Sequence, residues 1–181
     1  MELRQSNPWP DLFRDTQRSA FHMEVRDSYG VPGESEPLRR FLSGEARSEE
    51  PDESWQAWAS LVRGCTARGV TVSRIRVVTV PHSDYQRWLL TETRDNIDAG
   101  EDIRYLPRHL AGADQVPVDD FWLFDDTKVA FNLVDAEGKP AGAGITTDPS
   151  IAAYCRRSKE RLWSLATPFD KYDDPAETYP R

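Results

Sequence analysis

In the run Ala20–Asp27, His22, Glu24 and Arg26 fall on one side of an extended strand, with Phe21, Met23 and Val25 on the other. A histidine and a carboxylate on one strand face can exchange a proton, and a neighbouring guanidinium can hold a carboxylate or another anion. Asp27 and Tyr29 follow in Ser28–Gly33, a loop by its turn chemistry. Arg74 and Arg76 repeat the two-residue spacing in Val70–Val80. If they lie on an adjacent strand and face His22 and Arg26, the site becomes basic and anion-seeking. Tyr85 and Trp88 begin the helix that follows. The loop at the carboxyl end of such a strand is the usual ligand position in open α/β sheets. The candidate pocket is therefore His22, Glu24, Arg26, Asp27, Tyr29, Arg74, Arg76, Tyr85 and Trp88. The alternative is a polar face covered by helices and satisfied by internal ion pairs, with Tyr85 and Trp88 as core packing.

No catalytic set stands out. The chain has no Gly-rich phosphate loop, no Ser/His/Asp signature and no lipase elbow. Asp125 and Asp126 could hold a metal, but in a hairpin they read as turn formers. Asp98, Glu101 and Asp102 around Gly100 read as a helix end and a solvated turn. Cys65 and Cys155 lack metal-ligand spacing and read as buried free thiols. No metal and no cofactor is expected.

The elements that must position these residues alternate. A short helix is expected over about Leu12–Arg18, then the strand Ala20–Asp27 with one buried face. Ser35 with Pro37 starts a helix ending at Gly44. Glu45–Glu53 reads as an acidic hinge. Trp55, Trp58, Ala59, Val62 and Cys65 make one apolar helical stripe, closed by Gly69. Val70–Val80 reads as a central strand whose apolar phase changes, from a bulge or from burial on both faces. Ser83 or Asp84 caps the next helix, which runs to Gly100. Asp102–Leu106 is a short strand and Arg108–Pro117 is irregular. Phe121–Phe124 and Val129–Val134 form a hairpin, and Gly142–Thr146 adds a strand. Asp148–Pro149 caps a final helix with the stripe Ile151, Cys155, Ser158, Leu162, Leu165 and Phe169. Residues 173–181 read as an acidic mobile tail. The pattern is a single α/β domain over residues 1–172, a sandwich with a mixed sheet flanked by helices.

The 181 residues allow one real core, and six Trp, six Tyr and seven Phe are available to fill it. A net charge of −8 opposes direct nucleic-acid binding. No basic recognition helix in a helix-turn-helix pattern is present either. No apolar run approaches the roughly 18 residues of a membrane span, and the start carries no signal sequence, so a cytoplasmic protein is expected.

Three runs, Ser19–Tyr29, Ala99–Arg108 and Asp119–Asp126 (Asp-Asp-Phe-Trp-Leu-Phe-Asp-Asp), together resemble an actinobacterial family filed as domain-of-unknown-function family 6879. That resemblance implies a small cytoplasmic protein encoded beside helix-turn-helix regulators and small partner proteins. A weaker similarity is to the phospholipase D-like half-domain, which also serves as a non-catalytic sensor module. Its catalytic motif, His-x-Lys-x4-Asp, is missing: Glu24, Asp84 and Ala111 stand where the Lys after His22, His82 and His109 would be. The function expected is a non-catalytic regulatory, interaction or ligand-sensing protein with a helix-turn-helix regulator as partner and a small ligand as a further option. Its partner surface is expected near Trp9, Tyr29 and Arg39–Arg40. The alternative is a divergent phosphodiesterase or nuclease-like hydrolase centred on His22 and Glu24.

Overall fold

A computed structural model describes residues 1–5, 7–48, 53–112 and 115–172. The expected tail and part of the acidic hinge lie outside the described residues. The chain runs β1 (Glu2–Arg4), α1 (Trp9–Asp15), β2 (Ser19–Glu24), α2 (Ser35–Leu42), α3 (Glu53–Thr66) and β3 (Thr71–Val78). It continues through α4 (Asp84–Ala99), β4 (Glu101–Pro107), α5 (Arg108–Ala111), β5 (Phe121–Phe124) and β6 (Lys128–Val134). It then runs through β7 (Pro140–Thr146), α6 (Pro149–Leu165) and β8 (Thr167–Pro168). Among the described residues, eight strands make one sheet in the order β1-β7-β6-β5-β2-β3-β4-β8. β2, β3 and β4 are parallel, linked by helical crossovers, and the remaining pairs are antiparallel. The fold is therefore the expected α/β sandwich with a mixed sheet.

Side-chain alternation divides the core between the two faces of the sheet. Phe21, Met23, Ile75, Val77, Phe121 and Leu123 pack with Cys155 and Leu162 of α6. On the opposite face, Ala20, Val72, Trp122 and Phe124 pack with Phe13 of α1 and with Ala59, Val62 and Cys65 of α3. β2 thus has two buried faces, not one: His22 and Glu24 are as enclosed as the apolar set, because α1–α4 roof their side of the sheet. β3 is likewise buried on both faces, with unbroken register to β2 and β4, so the phase change in Val70–Val80 is not a bulge.

Local chemistry fixes the element ends. The Ser83 hydroxyl caps α4 by accepting from Gln86 N, and Gly100 ends it in the left-handed region at φ 119°. The Asp148 carboxylate accepts from Ser150 N and Ile151 N to start α6. Asp125 and Asp126 both have positive φ, 51° and 59°, the two-residue turn that matches strand twist. The Asp125 carboxylate also accepts from the backbone N–H of Gln17, Arg18 and Ser19, clamping the hairpin to the start of β2.

Several boundaries differ from expectation. α1 starts at Trp9 and ends at Asp15. β2 stops at Glu24 because Val25 N donates to the Asp120 carboxylate. Ser35 is not a cap, since a 3-10 turn over Pro32–Glu34 leads directly into α2. Arg108–Ala111 is a helical turn. In α6, Leu165 is exposed and Ala152 takes a place in the buried stripe. The edge strands β1 and β8 were not expected.

Candidate functional site

Glu24 sits at the end of β2, in register with Arg76 on β3, and two residue pairs back His22 stands opposite Arg74. The Arg76 guanidinium donates to Glu24 at 2.7 Å, to Thr93 Oγ1 at 2.8 Å and to the Tyr105 hydroxyl at 2.9 Å. Arg74 donates to the other oxygen of Glu24 and pairs with Glu101 at 2.9 Å. Glu101 also accepts from Trp58 Nε1 at 2.6 Å. Burial would raise the Glu24 carboxyl, but Arg74 and Arg76 outweigh it and hold it down at about 2. The four groups balance in charge, so this floor is not the basic, anion-seeking surface that two exposed arginines would make.

His22 lies flat on the Trp122 ring, with centroids 4.2 Å apart and planes 10° from parallel. Its Nε2 faces the Asn132 amide nitrogen at 3.4 Å. Its Nδ1 is 3.3 Å from Glu24 Oε1, and among the described residues it has no hydrogen-bond partner. Burial pushes the imidazole down to about 3, with Arg74 and Arg76 adding to the shift against the pull of Glu24. The ring is neutral at ordinary pH.

Above this floor is a cavity of about 1010 Å³ between the sheet face and helices α2, α3 and α4. His22, Glu24, Arg74 and Arg76 form its base. Trp9, Tyr29, Phe41, Trp55, Trp58, Tyr85, Trp88 and Trp122 supply aromatic wall. Seven of the nine sequence-derived site residues thus converge on one concavity: His22, Glu24, Tyr29, Arg74, Arg76, Tyr85 and Trp88. The cavity lies over the sheet face, not beyond the carboxyl edge of its strands.

Arg26 and Asp27 do not line it. Asp27 accepts from Thr79 N and Thr79 Oγ1, at 2.8 and 2.6 Å, and ties the end of β2 to the end of β3. The Arg26 carbonyl accepts from Gln86 Nε2. Trp9 and Tyr29 face the cavity, so the surface expected around them is an inner wall. Arg39 remains exposed on α2, paired with Glu36 and Glu45. Trp58 is half-buried, not fully enclosed, because one side faces the cavity.

Sequence reasoning missed four groups that shape the site: Glu34, Glu101, Trp122 and Asn132. Glu34 comes from the turn before α2 and accepts from the Tyr85 hydroxyl. Burial raises its carboxyl above the ordinary range. Asn132 is a polar residue inside the apolar run Val129–Val134, and that mismatch is the signal that could have drawn attention to it. Beside the site, burial lifts the Asp120 carboxyl to about 6, although Tyr29 and Val25 N both hydrogen-bond to it.

Among the described residues, no helix is long and apolar enough to cross a membrane. No curated protein matches the chain. A family model does match, over residues 7–174, and it takes in every strand except β1 and the whole lining of the cavity. The chain therefore belongs to the domain-of-unknown-function family DUF6879.

Proposed function

We propose that this chain is a non-catalytic ligand sensor that acts with a helix-turn-helix transcription regulator in the cytoplasm. The observation that carries the reading is the cavity itself. Its volume of about 1010 Å³ suits a small organic ligand, and its aromatic walls stand over a polar base. The charged groups of that base are committed to one another, as a rigid binding floor requires. The histidine beside them titrates at about 3, too low for a general base at neutral pH. This weighs against a phosphodiesterase centred on His22 and Glu24. The likeness to the sensor form of the phospholipase D-like half-domain agrees with a non-catalytic role.

Helix α2 is the element suited to report occupancy. Pro37, Arg40 and Phe41 face the cavity, while Arg39 faces outward. A tagged chain should retain a helix-turn-helix regulator from source cells, identified by mass spectrometry. The amount retained should change when low-molecular-weight extract is dialysed away. Retention of no such regulator overturns the reading. So does turnover of bis(p-nitrophenyl) phosphate that disappears in His22→Ala.

A further inference from the structure

We infer that the cavity takes a cationic ligand, an ammonium group on an aromatic or apolar body, with Glu34 receiving the charge. The inference rests on the ligand-sensing reading above and adds the chemical class of the ligand.

Among the described residues, six carboxylates line the cavity, those of Glu24, Glu34, Glu36, Glu45, Glu92 and Asp95, against the four guanidinium groups of Arg40, Arg47, Arg74 and Arg76. Each guanidinium is already matched. Arg74 and Arg76 hold Glu24, and Arg74 also holds Glu101. Arg40 lies beside Glu36 and Glu45, and Arg47 binds Glu92 and Asp95. An anionic ligand would have to displace one of these pairs. Glu34 is different: among the described residues its hydrogen-bond partner is the Tyr85 hydroxyl, and no cation pairs with it. A carboxylate offers about four acceptor positions, so most of its capacity is open.

The surroundings of Glu34 are what a cation needs. Tyr85 packs against Trp88 at 5.4 Å and against Tyr29 at 6.0 Å between ring centroids, and Phe41 joins the same cluster. All four rings line the cavity. Aromatic faces attract cations most strongly where water is excluded. A second and independent observation comes from the floor. His22 and Asn132 both line the cavity, and among the described residues their buried Nδ1 and Oδ1 atoms have no hydrogen-bond partner. Unpaired buried polar atoms are costly, and a ligand's neutral polar group would satisfy them.

Isothermal titration with three molecules on one scaffold tests the inference: 1-naphthylmethylammonium, 1-naphthalenemethanol and 1-naphthoate. The ammonium should bind at least about tenfold more tightly than the alcohol, with naphthoate weakest. Glu34→Gln keeps a partner for the Tyr85 hydroxyl. It should cut the ammonium's advantage over the alcohol to about twofold or less, while an unaltered circular dichroism spectrum certifies the fold. If Glu34→Gln binds none of the three, the ranking on the unaltered chain decides alone. Tightest binding by naphthoate or by the alcohol overturns the cation assignment and leaves the sensor reading standing. An unchanged preference in Glu34→Gln overturns the role of Glu34. No binding by any of the three overturns both this inference and the sensor reading.

Discussion

Glu24 neutralises two arginines at once, which makes it the residue least able to be replaced. Glu24→Gln would leave Arg74 and Arg76 enclosed with one carboxylate between them, at Glu101. Breaking a buried pair from one side costs about 3–5 kcal/mol, and urea unfolding of the variant should show a loss of that size. His22 gives a pH signature. Its pKa is 6.5 when unfolded and about 3 when folded, so the unfolded chain takes up a proton that the folded chain refuses. Its contribution is complete above pH 6.5 and drains as the pH falls toward 3. At pH 5 the loss is about 2 kcal/mol relative to pH 8. Asp120 works in the opposite sense: with its carboxyl at about 6 against 3.8 unfolded, its contribution is present below pH 3.8 and is lost as the pH rises through 6. Comparing unfolding midpoints of His22→Gln and the unaltered chain at pH 8 and pH 5 isolates the histidine. Equal pH dependence in the two would refute its assignment as a buried neutral ring.

Among the elements, α3 and the β5–β6 hairpin carry the sharpest tests. Trp58 packs edge-on against Phe13 at 5.4 Å and donates to Glu101, so Trp58→Ala should cost about 3–5 kcal/mol despite the ring's half-burial. Trp58→Phe should lose about 1.5–3 kcal/mol, the worth of a hydrogen bond to a charged acceptor, and thermal or urea unfolding distinguishes the two. Asp125→Ala removes the acceptor of three backbone N–H groups and places Ala at φ 51°, which should cost about 2 kcal/mol. Elements like these were legible because their signals are local: Asp-Asp before a β-run, Ser83 and Gly100 bracketing a helix, Asp148 ahead of Pro149. β1 and β8 were not. Glu2–Arg4 and Thr167–Pro168 are two or three residues long and carry no alternation to detect. They are strands only because β7 and β4 offer open edges. The end of β2 was misplaced for a related reason: Val25 continues the apolar alternation, but its N–H goes to Asp120, far along the chain.

For the whole molecule, the net charge of −8 sets the expectation that the isolated chain does not retard generic duplex DNA in a gel shift. Arg74 and Arg76, the cations best placed to overrule that charge, are buried and paired. A salt-sensitive shift at micromolar protein would contradict this. The candidate site was legible at its floor, because two-residue spacing puts His22 with Glu24 and Arg74 with Arg76 on one face whatever the fold around them. Its rim was not. Glu34 and Trp55 come from separate elements and meet only through the roofing of the sheet by α2 and α3.

The antiparallel pairing of β2 with β5 also has a consequence for how the chain is made. Phe21 and Met23 meet Leu123 and Phe121 across that seam, about 100 residues later in synthesis. While a ribosome is still making the middle of the protein, β2 can pair with β3, but its other edge has no partner. The nascent chain then presents an apolar strand edge to its neighbours, which is the condition for aggregation between growing chains. Translation speed through residues 108–124 and the supply of chaperones at that moment, more than the stability of the finished fold, should decide how much soluble protein a cell obtains.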